Sequence, residues 1–194
     1  MPRRQGRAIE LAALLPGGYP ARYPRPVKVL MLAPPGGGKG TQGSRLAKEL
    51  GVEHISSGDV LRAEVADKTA LGRDVKSHMA AGRLAPDELV SRAVLAKLGR
   101  RDGYVLDGYP RTLSQAEGLD FDAVVYLQVP DEVVERRLLA RGREDDTKDV
   151  IAQRLREYRD DTQPLIDHYQ DVLVEVDGNR PEDEVAADLK RRLT

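Results

Sequence analysis

The run Ala33-Pro34-Pro35-Gly36-Gly37-Gly38-Lys39-Gly40-Thr41-Gln42 constrains this chain more than any other stretch. An apolar, partly β-branched hexamer, Val27 to Leu32, precedes it, and a helical pattern, Ser44 to Leu50, follows it. The three pieces read as strand, glycine-rich loop and helix. Three successive glycines let the backbone curl around an anion with its N–H groups turned inward and no Cβ in the way. The helix adds its positive end, and Lys39 adds a full charge for the outer phosphates of a nucleotide. The Gly-Lys-Gly-Thr register separates this loop from a plain glycine turn.

From Val27 onward, short β-rich runs alternate with helical ones. Strands are expected at Val27–Leu32, Val52–Ile55, Tyr104–Leu106, Ala123–Val129 and Val172–Val176. Helices are expected near Lys39–Leu50, Val60–Ala66, Ala70–Ala81, Pro86–Leu98, Asp131–Ala140, Lys148–Tyr169 and Pro181–Leu193. This alternation predicts an α/β fold, a parallel sheet covered on both faces, with ligands at the carboxyl ends of the strands. A net charge of −1 gives no global field toward nucleic acid or membrane, and no apolar run reaches the ~18 residues of a bilayer span. The lack of any cysteine rules out disulfides and cysteine-ligated zinc and suits a reducing cytoplasm. Residues 1–26 differ from the rest. Arg3, Arg4, Arg7, Arg22 and Arg25 face a single Glu10 among several prolines and glycines, which reads as a disordered basic extension rather than a secretory signal.

Two strand ends carry further motifs. The second strand runs into Ser56-Ser57-Gly58-Asp59-Val60-Leu61-Arg62, and the third into Asp107-Gly108-Tyr109-Pro110-Arg111-Thr112. Together with the glycine loop, in this order and spacing, these segments resemble the nucleoside monophosphate kinases, adenylate kinase above all, over about residues 27–194. The resemblance implies a P-loop three-layer fold with a five-stranded parallel sheet. It also implies a helical monophosphate-binding flap at 56–85, a short lid at 140–146, and Mg²⁺-dependent phosphoryl transfer from ATP to AMP giving two ADP. Such chemistry needs in-line positioning and positive charge more than covalent help. Lys39 is expected on the donor phosphates, and Arg62 and Arg111 on the acceptor phosphate, where a planar fork can bind two oxygens at once. Asp59 and Asp107 are expected to hold waters of the Mg²⁺ ion, with Thr41 close by; as a helix N-cap and a turn residue they would also make local sense.

Beyond Val129-Pro130, Arg137 and Arg141 share a helix face, and Arg141-Gly142-Arg143-Glu144-Asp145-Asp146 follows, with Arg154 in the next helix. By resemblance this is the lid. Arg137 and Arg141, with Gly36, Gly37, Gly38, Gly40, Thr41 and Arg180, serve ATP. Arg143 and Arg154 reach the reacting phosphates, and the Asp-Asp pair fixes the arginines. The lid is of the short form and needs no structural zinc. On the AMP side the resemblance assigns Ser57, Arg62, Arg83, Leu84, Ala85, Gly108, Tyr109, Pro110, Arg111 and Gln115, the glutamine amide offering donor and acceptor to adenine. Three departures stand out. Ala33 replaces the first loop glycine, which is tolerable if its φ is negative. Ser57 replaces threonine, and only five residues separate Gln115 from Phe121, so the helix there is expected to be shortened or lost. The histidines, His54, His78 and His168, form no sequence cluster and read as structural or surface residues. Two other readings are a UMP/CMP kinase of the same fold and a catalytically weak nucleotide sensor. A cytoplasmic monomer working on free nucleotides, without nucleic acid or membrane partners, completes the expectation.

Overall fold

The computed structural model describes residues 27–81, 83–143 and 145–194, so the basic extension lies outside the described residues. The first strand, β1 (Lys28–Leu32), passes into α1 (Lys39–Leu50) and then β2 (Glu53–Ser56). Helices α2 (Ser57–Ala66), α3 (Ala70–Ala80) and α4 (Asp87–Leu98) lead to β3 (Tyr104–Asp107) and the single-turn α5 (Leu113–Ala116). After β4 (Ala123–Gln128) come α6 (Asp131–Arg141), α7 (Lys148–Glu157), a π-helical turn (Tyr158–Thr162) and α8 (Leu165–His168). Strand β5 (Leu173–Asp177) and α9 (Glu182–Leu193) complete the chain. No helix among the described residues is long and apolar enough to cross a membrane.

The sheet order is β2-β3-β1-β4-β5, with all neighbours parallel. Burial on both faces dictates this. Along β1, Leu30 and Leu32 pack into one layer, and Val29 and Met31 into the other, each nearly inaccessible to water. Period-two alternation of apolar residues to two faces suits only a central strand between helical layers. Helices α1 and α9 close one layer through Leu46, Leu50, Val185 and Leu189. Helices α2, α3, α4 and α8 close the other through Leu61, Val75, Val94 and Leu165. Each fully buried leucine contributes about 1.5–3 kcal/mol. Phe121 meets Tyr104 and Tyr169 edge-on, at centroid distances of 6.4 and 5.5 Å.

The chain leaves β1 for the β2–β3 side and later returns to the β4–β5 side, so the order reverses at β1. In register, Ser56 lies beside Asp107, Met31 beside Asp107, and Leu32 beside Tyr126. The strands therefore end along one edge, and the glycine loop sits at the reversal, where an open α/β sheet leaves a crevice.

Two expectations need correction. The helix expected over Lys148–Tyr169 is broken: α7 stops at Glu157, the backbone widens to an i→i+5 bond from the Gln163 amide to the Tyr158 carbonyl (2.8 Å), and α8 follows. Pro164 explains the break, since it has no N–H and its ring crowds the carbonyl four residues back. Helix α2 starts at Ser57, directly after β2, three residues earlier than expected. Where the sequence leaves the helix between Gln115 and Phe121 shortened or lost, the single-turn α5 ends at Ala116, one residue past Gln115.

Candidate active site

A cavity of about 550 Å³ opens at the carboxyl edge of the sheet, walled by the glycine loop, the start of α2, the segment after α3, the β3–α5 loop and the 141–146 connection. In the loop, Gly36 and Gly38 have φ of 77° and 92°, which residues with a side chain rarely adopt. Among the described residues Lys68 is the one non-glycine with positive φ, so Ala33 carries no such strain. Its methyl instead occupies space at Gly37, where a Cβ would come within 2.8 Å of it. Gly38 caps α1 without any side-chain hydrogen bond, leaving first-turn N–H groups open for an anion.

Lys39 curls back over its own loop, donating from Nζ to the carbonyls of Ala33 (2.6 Å) and Pro34 (3.0 Å). Burial lowers its pKa to about 8, against the opposing pull of Asp107 and with help from Arg111 and Arg141. Asp107 is itself buried at the end of β3. Burial alone would raise its carboxyl, but the hydrogen bond from His54 and the charge of Lys39 outweigh it and hold it below the ordinary value. The His54 Nε2–Asp107 Oδ2 distance is 2.6 Å, and the ionised carboxylate requires that ring nitrogen to donate. His54 is thus a structural residue of a specific kind, one that holds a site carboxylate. Asp59 and Thr41 also line the cavity, Asp59 accepting from Arg62 Nη2 at 2.5 Å.

Arg62, Arg111, Arg137, Arg141, Arg143 and Arg154 all reach this cavity. Arg111 is anchored by Nε on the Gly108 carbonyl (2.7 Å), and Arg137 by Nη2 on the Gly178 carbonyl (3.1 Å). So many like charges need an organiser, and Asp145 and Asp146 supply it. The Asp146 side chain has 0% exposure and takes Arg141 in a two-pronged grip (2.8 and 2.7 Å), Arg154 at 3.0 Å and the Arg143 amide at 3.2 Å. Arg154 also pairs with Asp145. Burial lowers the pKa of Arg111 and of Arg143, and neighbouring arginines lower both further. A surplus of partly desolvated positive charge is what a polyphosphate would neutralise.

Of the residues expected to receive the acceptor, Arg83, Leu84, Ala85, Gly108, Pro110 and Gln115 also line the cavity. Three residues from the sequence reading do not. Ser57 is buried and spends its hydroxyl on the Gly108 carbonyl (2.6 Å), because α2 begins at that residue and turns it toward β3. Tyr109 is buried with its hydroxyl on Ser91 (3.0 Å). Arg180 bonds Asp188 (2.7 Å) and the Asp177 carbonyl (3.2 Å) away from the cavity, drawn by a buried carboxylate on α9. Sequence reasoning missed Glu157, which lines the cavity and accepts from the Leu84 amide at 3.1 Å, tying α7 to the segment after α3. No motif marked it, and only its place one helical turn after Arg154 hinted at a shared face. Among the described residues no group of three or more His, Cys, Asp or Glu side chains is placed to hold a metal by itself.

The chain matches the sequence model of the adenylate kinase family over residues 31–174. It is 47% identical over 179 residues to a protein named adenylate kinase from Nocardia farcinica, an alignment covering 86% of this chain and 99% of that protein. Adenylate kinases from Mycobacterium bovis (43%) and Corynebacterium glutamicum (41%) align over the same shares, 86% of this chain and 99% of theirs.

Proposed function

This chain belongs to the adenylate kinase family and is an ATP:AMP phosphotransferase, and we propose that the cavity at the carboxyl edge of its sheet is where the transfer takes place. The observation that carries this reading is the convergence of Lys39 and seven arginines on one crevice beside the glycine loop. Donor phosphates would lie against the open N–H groups of the loop and α1, with Lys39 leaving the Ala33 and Pro34 carbonyls to reach them. Arg137 and Arg141 flank that end. Arg62 and Arg111 would hold the acceptor phosphate, and Arg143 and Arg154 the group in flight, where charge spreads over the equatorial oxygens. Gln115, with the backbone of Arg83 to Ala85, Gly108 and Pro110, would receive the acceptor base.

The donor set around Thr41, Asp59 and Asp107 consists of oxygens only, with no cage of three carboxylates. That fits Mg²⁺, which keeps several waters and takes few protein ligands when nucleotide phosphates share it. When bound, the ion would neutralise charge on the phosphates being separated. Asp107, kept ionised by His54 and Lys39, would accept hydrogen bonds from its waters. The flap at 56–85 and the connection at 140–146 would close over both nucleotides to exclude water, itself a competing acceptor. One chain supplies the whole cavity, which suits a monomer. The cysteine-free composition and net charge of −1 suit a cytoplasmic enzyme of free nucleotides without nucleic acid or membrane partners.

The assay that tests this reading measures kcat/KM for AMP, CMP and UMP with saturating MgATP. AMP should exceed both pyrimidines by 10²-fold or more, the scale of two mismatched buried hydrogen bonds at roughly 1–3 kcal/mol each. Equal or higher values for CMP or UMP would refute the assignment of the acceptor pocket.

A further inference from the structure

Asp87 is the first residue of α4, and its carboxylate bonds to Thr112, Ser114 and Gln115, at the start of α5. Its Oδ2 accepts from the Thr112 hydroxyl (2.7 Å) and from the Ser114 hydroxyl, and its Oδ1 accepts from Gln115 Nε2 at 2.7 Å. The other end of the same amide is also engaged: Gln115 Oε1 accepts from the Arg111 backbone N–H at 2.8 Å. Gln115 is 6% exposed and lies on the cavity wall.

These two contacts settle which end of the amide is which. Turning it over would set Nε2 against a backbone N–H and Oε1 against a carboxylate, two like pairs in a buried place. In the observed orientation each end has one valence left: a lone pair on Oε1 and a hydrogen on Nε2. An acceptor base reading that pair must donate to Oε1 and accept from Nε2. The Watson–Crick edge of a 6-aminopurine does both, through its amino group and N1. A 6-oxopurine offers the reverse, an acceptor at position 6 and a donor at N1. We infer that Asp87 is a specificity-determining positioning residue: its carboxylate fixes the Gln115 amide so that the acceptor site takes 6-aminopurine and rejects 6-oxopurine monophosphates. This rests on the proposal that Gln115 reads the acceptor base.

AMP and IMP differ at these two positions and almost nowhere else, so they are the probes. The full-length enzyme and the variants Asp87→Ala, Asp87→Asn, Gln115→Ala and Asp87→Ala/Gln115→Ala are compared by kcat/KM for AMP and IMP with saturating MgATP. Direct binding of each monophosphate and Tm are measured alongside. The wild type should prefer AMP strongly. Asp87→Ala should lower the AMP/IMP ratio by roughly tenfold, the scale of one lost orienting hydrogen bond. Asp87→Asn keeps an oxygen toward Nε2 and should restore most of the ratio. In the Gln115→Ala background the Asp87 substitution should leave the ratio where Gln115→Ala put it. A fall in AMP and IMP efficiency by equal factors, with lowered Tm, would reduce Asp87 to a brace between α4 and α5 and overturn the inference. If Gln115→Ala collapses the ratio while Asp87→Ala does not, base reading by Gln115 stands and the role of Asp87 alone falls. If Gln115→Ala itself leaves the ratio unchanged, the base-reading proposal fails first and takes this one with it.

Discussion

Lys39 combines two demands that water would keep apart. In the proposed role it would carry a charge for phosphates, yet it sits where burial lowers its pKa to about 8. Without nucleotide, the carbonyls of Ala33 and Pro34 solvate it. Polyphosphate favours the charged form, so binding should raise the pKa back toward 10.5. The sign follows: between about pH 8 and 10, ATP binding should take up a proton at Lys39, and well below pH 8 this residue should contribute none. Titration calorimetry at pH 7 and 9, in buffers of differing ionisation enthalpy, reads that uptake directly, and Lys39→Met should abolish the component specific to pH 9. The same variant should keep its fold and lose about 10²–10³-fold in kcat, as expected for one charge removed from a water-excluded site. Turnover within threefold of wild type would remove Lys39 from the phosphoryl-transfer step.

The elements that frame the site differ in what holds them. In the flap, α2 and α3 pack so closely that a Cβ at Gly72 would lie 2.0 Å from the Glu64 carbonyl, and Thr69 caps α3 through the Gly72 amide at 2.9 Å. The described residues of the 141–146 connection are tied together through Asp146, which holds Arg141, Arg154 and the Arg143 amide. Burial pushes the Asp146 carboxyl up, but the hydrogen bonds from Arg141 and the Arg143 amide, with the charge of Arg154, hold it below its ordinary 3.8. A depressed carboxyl stabilises the fold above the unfolded value and loses that contribution as pH falls through the folded one. Asp146→Asn should therefore cost about 1–3 kcal/mol at neutral pH, the usual penalty for groups left unsatisfied. The Tm gap between variant and wild type should hold steady above about pH 4 and shrink below it. A gap that is flat down to pH 2.5 would show that the ionised carboxylate is not what organises the lid.

For the whole molecule, the proposed chemistry predicts a closed counterpart to the open crevice. The cavity must admit two nucleotides and then exclude water, so an analogue joining two adenosines through five phosphates should select the closed form. At a thousandfold excess over its Kd it should stabilise the protein by about 4 kcal/mol. For a domain of this size that is roughly 8–16 °C in Tm. Hydrogen exchange should slow over 57–81 and 141–147, and the radius of gyration should fall. Saturation that leaves exchange in both segments and the scattering profile unchanged would show that flap and lid do not close.

The amino-acid sequence by itself determined the layered α/β fold, the strand–glycine loop–helix and the arginines between 137 and 154 that line the cavity. These are carried by local spacing: alternation across a strand, a helical repeat, three glycines before a lysine. Even the break at Pro164 was written locally, although the helix expected there ran through it. Only tertiary structure decided the partners. His54 and Asp107 are 53 residues apart, Leu84 and Glu157 are 73, and Gln115 and Asp87 are 28. Periodicity states which face a residue lies on but not what the folded chain brings against that face. Ser57 shows the same limit from the other side. Its motif pointed into the acceptor pocket, whereas the start of α2 turned the hydroxyl onto the Gly108 carbonyl. Local spacing prescribes backbone and charge, while the orientation of an amide or carboxylate depends on distant donors and acceptors that meet only once the layers have packed.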